Sequence, residues 1–386
     1  MRINPIACLT LFALTIAAAA ICIAQATDTT PGLSLTTPDR LQDPGWWPTK
    51  GDPAANTYTG EAACAKCHAD IVATQHTTPM YHAGMRAAQS TILAQHPNLS
   101  FHEGPYTYSI QHNTFTVSDG TNSTSKSIAW TFGNGEYGQT YILKTGDQYT
   151  EARLSYYTSL HALDITTGHS IEMPSSLQRA FGQAQKSDTA QHCFSCHTTA
   201  VITSGNFDPE NAIPGITCEA CHGPGAKHVT AMTAGQYDQA AATITNPASM
   251  SPTDSVDFCG ACHRTWSDVT MLLPANIGIV AVRFQPYRLE KSRCWGNAGD
   301  PRITCIACHN PHQPLVRDLA SYDAKCLACH RSLAGHAQPH ATALACKVAA
   351  SNCASCHMPR YEVPQTHATF TDHDIRIVRA GNTFPQ

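Results

Sequence analysis

The chain has 386 residues, with 18 Cys and 21 His against only 13% charged side chains and a formal charge of −4. That balance excludes the basic surface a nucleic-acid partner would require, and the length allows two or more domains. So many cysteines in a long chain require disulfides, zinc or haem as an explanation.

Residues 1–26 read as a signal peptide. Arg2 supplies the positive charge, Ile6 to Ala24 the apolar run and Ala24-Gln25-Ala26 the cleavage site. An uncleaved anchor helix is one rival reading. A lipoprotein signal at Cys22 is another, opposed by the bulk of Ile21 before it. No later stretch is apolar for long enough to span a bilayer. The mature chain is therefore expected to be exported, to the periplasm or outside the cell, without Cys8 and Cys22. Residues 27–60 form an extended lead-in punctuated by proline, which Trp46 and Trp47 are expected to dock.

The first of seven Cys-x-x-Cys-His motifs opens a segment at 61–98, with Cys64, Cys67 and His68. A β-rich insert follows at 99–165. Its aromatic and β-branched runs are Tyr106–Ile110, Thr114–Val117, Ser127–Phe132, Gln139–Leu143 and Tyr149–Tyr157. Asp119-Gly120, Gly133-Asn134-Gly135 and Thr145-Gly146-Asp147 divide them, which predicts an antiparallel sheet of about five strands. Gly133, Gly135 and Gly138 spell a GxGxxG, but a strand rather than a helix is predicted after it, so they read as hairpin glycines.

Residues 166–386 carry the other six motifs: Cys193, Cys196 and His197; Cys218, Cys221 and His222; Cys259, Cys262 and His263; Cys305, Cys308 and His309; Cys326, Cys329 and His330; Cys353, Cys356 and His357. Two thiols at this spacing add to the vinyl groups of one haem, and the next residue is the proximal iron ligand. Zinc ribbons or redox thiol pairs do not demand His after the second Cys, and here it follows every time. The cofactor read from the motifs is covalent haem c, seven per chain. From Cys193 to His357 six motifs fall within 165 residues, fewer than 30 per haem, which predicts short helices and loops around packed haems. The fold class expected is thus a mainly helical and irregular multihaem cytochrome c with an antiparallel β insert.

Fourteen His lie outside the motifs. His76, His82, His169, His228, His312, His340, His367 and His373 are the candidate distal ligands. His312 follows His309 too closely to reach the far face of its own haem, so it would serve a neighbour. Met80 or Met85 is an alternative ligand for the first haem, and would raise its potential. Cys294 and Cys346 are left over, and in an oxidising compartment suggest a disulfide. Residues 283–386 hold 12 of the 24 Lys and Arg against seven acids. Arg293, Arg302, Arg317, Lys325 and Arg331 are therefore candidate partners for haem propionates.

Beyond the motifs, the chain resembles bacterial cytochromes of the cytochrome c-554/multihaem group. The resemblance is carried by Tyr58-Thr-Gly-Glu-Ala-Ala-Cys64, Phe132 to Tyr141, Gly215 to Gly225 and Thr366 to His373. It implies electron transfer outside the cytoplasm, with redox proteins or other cytochromes as partners. Two other readings stand beside a carrier. A nitrogen-oxide or sulfur-oxyanion reductase would need one open haem site; no Cys-x-x-Cys-Lys marks one. A homo-oligomer or extracellular filament would need haem contacts between subunits.

Overall fold

The computed structural model describes residues 57–203, 206–272, 277–295, 303–330 and 351–379, with a few single positions beside them. The signal peptide, Trp46, Trp47, Arg302, Arg331, His336 and His340 lie outside the described residues.

A nine-stranded antiparallel sheet dominates the first half. Its strands are β1 Gly84–Arg86, β2 Asn98–Glu103, β3 Tyr106–Gln111, β4 Thr114–Ser118, β5 Ser123–Phe132, β6 Gly138–Thr145, β7 Gln148–Tyr157, β8 Ala162–Ile165 and β9 Gly182–Ala184. β2 to β8 form a meander in chain order. β1 adds to β5 and β9 to β7. β5 is consequently paired on both edges at Trp130–Phe132 by β1 and β6. β7 is paired on both edges at Thr150–Glu151 by β6 and β9.

All five predicted strands are present, and their alternation sets their faces. On β3, Tyr106, Tyr108 and Ile110 turn inward, and on β4 Phe115 and Val117 do so. Together with Tyr141, Leu143, Leu154, Tyr156 and Phe181 they form the main apolar core. Gly133 (φ 102°) and Gly135 (φ 82°) lie in the β5–β6 turn, so the GxGxxG run is hairpin backbone.

The expected class, mainly helical and irregular, is corrected by this sheet. Two facts account for the difference. The insert is larger than five strands, because β1, β2, β8 and β9 flank it, and three of these are only three or four residues long. Segments that short carry too few alternations to be recognised. The motif helices are also small: three of the seven have only four or five residues.

These helices are α1 Glu61–Gln75, α2 Ser187–His197, α3 Cys218–His222, α4 Pro252–His263, α5 Cys305–Cys308, α6 Asp323–His330 and α7 Cys353–His357. The sheet positions α2 directly. Phe194, inside the second motif and 1% exposed, packs edge-on against Trp130, Phe132 and Tyr149. A Cβ at Gly84 of β1 would collide with the His197 carbonyl, so strand and motif meet with no room for a side chain. The chain leaving His197 then pairs with the chain entering the third motif, Thr198 opposite Pro214. Among the described residues no helix is long and apolar enough to cross a membrane.

Candidate haem-binding site

Cysteines three apart on a helix lie on one face, about one turn from each other. The motif His follows at the point where each helix yields. α2, α3, α4, α6 and α7 end on it, and His309 caps α5. α1 continues to Gln75 but breaks helical geometry at His68 (φ −117°, ψ 37°). Every motif therefore offers two thiols on one helical face and an imidazole at a break or end of the helix.

Thiols of different motifs come together. Cys64 lies near enough to Cys218, Cys196 to Cys262, Cys259 to Cys305 and Cys326 to Cys353 for each thiol to influence the other's proton affinity. The neighbouring thiol, with burial, pushes Cys64, Cys262 and Cys305 far up, while the same neighbour draws Cys218, Cys196 and Cys259 down. Cys221 is close enough to act electrostatically on Cys259 and Cys262, and Cys326 acts in the same way on Cys308. Burial pushes Cys221 up to about 11 and, helped by Glu151, Cys193 up to about 12. These proximities relate motifs one, three, four, five, six and seven in that order, with motif two beside motif four.

Carboxylates reinforce two of the junctions. Glu219, 3% exposed and inside the third motif, accepts from the backbone N–H of Thr59 (2.8 Å) and Gly60 (2.9 Å) at the start of α1, and of Gly225 (2.7 Å). Asp323, which opens α6, accepts from Asn352 (2.6 Å) and Cys353 (2.8 Å) at the start of α7. Those N–H donors hold the Asp323 carboxyl below its usual range. A carboxylate at a helix N-terminus satisfies otherwise unpaired N–H groups. Here each one also ties one motif helix to another.

The histidines fall into two sets. His197, His222, His357, His228 and His373 donate Nδ1–H to the carbonyls of Ala83, Thr245, Arg376, Ala240 and Thr371, at 2.7 to 3.1 Å. This fixes the ring and leaves Nε2 as the acceptor atom that binds a metal. In the other set Nε2 itself is engaged: His76 with Glu61 (2.8 Å), His82 with the His76 carbonyl (2.8 Å), His169 with Glu151 (3.1 Å) and His367 with Asp164 (2.8 Å).

Two candidate distal rings stand opposite motif rings. His312 is 5.9 Å from His222, centre to centre, with planes 11° apart. His373 is 6.2 Å from His309 at 44°. One metal bonded to both rings, at about 2 Å from each nitrogen and roughly 1 Å further to each ring centre, calls for about 6 Å. Burial lowers His373 to about 4 and also lowers His309 and His312, keeping these rings neutral, as ligation requires. Met80 and Met85 are half-buried near the start of the sheet. Arg317, a candidate propionate partner, pairs with Glu136. Cys294 is half-buried, Cys346 is exposed, and no disulfide joins them.

The donor set fits haem c better than zinc. A structural zinc needs four converging ligands, and among the described residues no three Cys, His, Asp or Glu converge in that way. Paired thiols on one helical face, and imidazoles set one iron apart, are what a bis-His haem c requires.

The family model for cytochrome c554 and c-prime matches residues 149–223, from β7 through the third motif. The match sets a c-type cytochrome signature over the second and third motifs, and that family implies covalently bound haem c. None of the curated proteins matches it. Among solved structures it is similar to the outer cell wall cytochrome OcwA, at 19% identity and a TM-score of 0.31, over 53% of this chain and 37% of that one.

Proposed function

We propose that this cytochrome carries seven haem c groups and conducts electrons outside the cytoplasm between redox partner proteins. The observation that carries the reading is the proximity of thiols from successive motifs. Groups bonded to neighbouring thiols are themselves neighbours, and every motif has a thiol near enough to another motif's to act on it. The order is one, three, four, five, six, seven, with the second motif as a branch at the fourth. The bound haems supply reversible one-electron storage.

The protein's own residues hold and tune those groups. The motif cysteines anchor them. His68, His197, His222, His263, His309, His330 and His357 serve as proximal ligands. His312 serves the third motif from the far side and His373 the fifth. His228, with Nε2 unengaged, is a further distal ligand. Where two imidazoles meet one iron no coordination position stays open, which suits electron transfer and opposes substrate chemistry at that haem. Export follows from the leader at residues 1–26.

Intact mass and low-temperature electron paramagnetic resonance (EPR) of the oxidised protein test the reading together. The expected result is a mass increment of seven haems and a spectrum dominated by low-spin iron. Fewer haems would show that a motif is unused. A high-spin iron in the unaltered protein would mean an open site, and would favour a reductase.

A further inference from the structure

An ionic cluster with a fully buried centre lies beside His373, and electron carriage does not itself require it. Arg288, on the helix Gln285–Lys291, is 0% exposed. Its Nε is 2.8 Å from Asp372 Oδ1 and its Nη2 is 2.9 Å from Asp372 Oδ2, a two-point fork. The same Nη2 reaches Asp374 Oδ2 at 3.2 Å. The Phe384 ring covers the guanidinium at 4.7 Å. Arg376 Nη1 adds a bond to Asp372 Oδ2 at 2.7 Å and one to the Asp374 carbonyl at 2.7 Å. Asp372 and Asp374 are the two chain neighbours of His373.

The same segment also grips the last motif. The Arg376 carbonyl accepts from His357 Nδ1 at 2.8 Å, and the Arg376 N–H donates to the His357 carbonyl at 3.2 Å. One short stretch, 372–376, therefore sets the ring that faces His309 and the ring of the seventh motif. Two Arg and two Asp balance in charge. A buried pair of this kind holds geometry through directional bonds, and removal of one partner leaves a charge stranded.

We infer that Arg288 is a positioning residue: through Asp372 and Asp374 it holds His373 on the fifth-motif iron and steadies His357 on the seventh. The inference rests on the ligand reading proposed above. His357 is also fixed by the covalent attachment of its neighbour Cys356, so His373, which has no such tether, is the ring that depends on the clamp. Lysine cannot replace the fork, because a single ammonium makes no two-point contact with a carboxylate.

The test uses the full holoprotein with Arg288→Lys and Arg288→Met. Both are expected to retain seven haems by mass while one iron changes from low-spin to high-spin in the EPR spectrum. Added imidazole should restore the low-spin signal in both. Seven low-spin irons and unshifted potentials in both variants would overturn the clamp. Should neither variant fold, Asp374→Asn carries the test: it weakens the 3.2 Å contact to Arg288 and the 3.6 Å ion pair to Arg376 and leaves the fork to Asp372 in place, and a partial high-spin signal supports the clamp, whereas a wild-type spectrum overturns it. His373→Ala separates the two ideas. If that variant keeps seven low-spin irons, the ligand assignment itself is wrong, whatever Arg288 does.

Discussion

His312 stands 5.9 Å from His222 in nearly parallel planes, although it follows the fifth motif and His222 closes the third. Face-to-face ring contact would be much closer. The spacing suits two rings on one axis with a metal between them. A residue beside one motif thus completes the site of another, which binds the motif order into the tertiary structure.

His312→Ala should convert one iron to high-spin with seven haems retained. His169→Ala should leave all irons low-spin, because its Nε2 is committed to Glu151. EPR of both proteins checks the division of the histidines by which nitrogen is engaged. A high-spin iron in the His169 variant would refute it.

Glu219→Ala should destabilise the protein by about 3 kcal/mol, since buried N–H groups left without an acceptor cost roughly 1–3 kcal/mol each and three lose theirs here. Glu219→Gln, which keeps one carbonyl oxygen, should lose less than half of that. Denaturant midpoints read the difference.

Phe194→Ala should cost about 3–5 kcal/mol, the usual loss for a deleted core ring. The ring also joins the second motif to the sheet, so the drop in melting temperature should be accompanied by a change in the optical spectrum of one haem. A drop without any spectral change would mean that the sheet does not hold that motif.

Glu103 shows how the sheet should respond to acid. Burial pushes its carboxyl up, but hydrogen bonds from Arg153 (Nε to Oε2, 2.8 Å) and Tyr108 outweigh this and hold it below its usual value. A depressed carboxylate contributes stability above its unfolded value, near pH 4.5, and loses it as pH falls through the folded value. The stability gap between wild type and Glu103→Gln should therefore be constant above about pH 5 and close below it. A gap that widens in acid would contradict the assignment.

The parts of the fold with strong local signals were readable from the sequence. The five central strands carry two-residue alternation, and positive-φ glycines mark their turns. The His112-Asn113 turn between β3 and β4 lacks glycine and gave no warning, although both residues have positive φ. β1 and β9 exist because longer strands offer them an edge, a relation that three residues cannot announce. The haem motifs were legible because their chemistry is local. The distal rings were not, since His169 and His373 look alike in sequence and differ only in which nitrogen is engaged. The alternation Asp372-His373-Asp374 was the one local hint, and its meaning depended on a buried arginine far back in the chain.

The thiol proximities also have a consequence for connectivity. Under the proposed arrangement of haems, the fourth motif is the branching node among the described residues, and the first, second and seventh motifs are its terminals. A linear conductor has two ends, an inlet and an outlet. Three ends make a junction, able to merge two currents or divide one. Loss of the second motif should leave the route from first to seventh intact, whereas loss of the fourth should break the network into separate fragments.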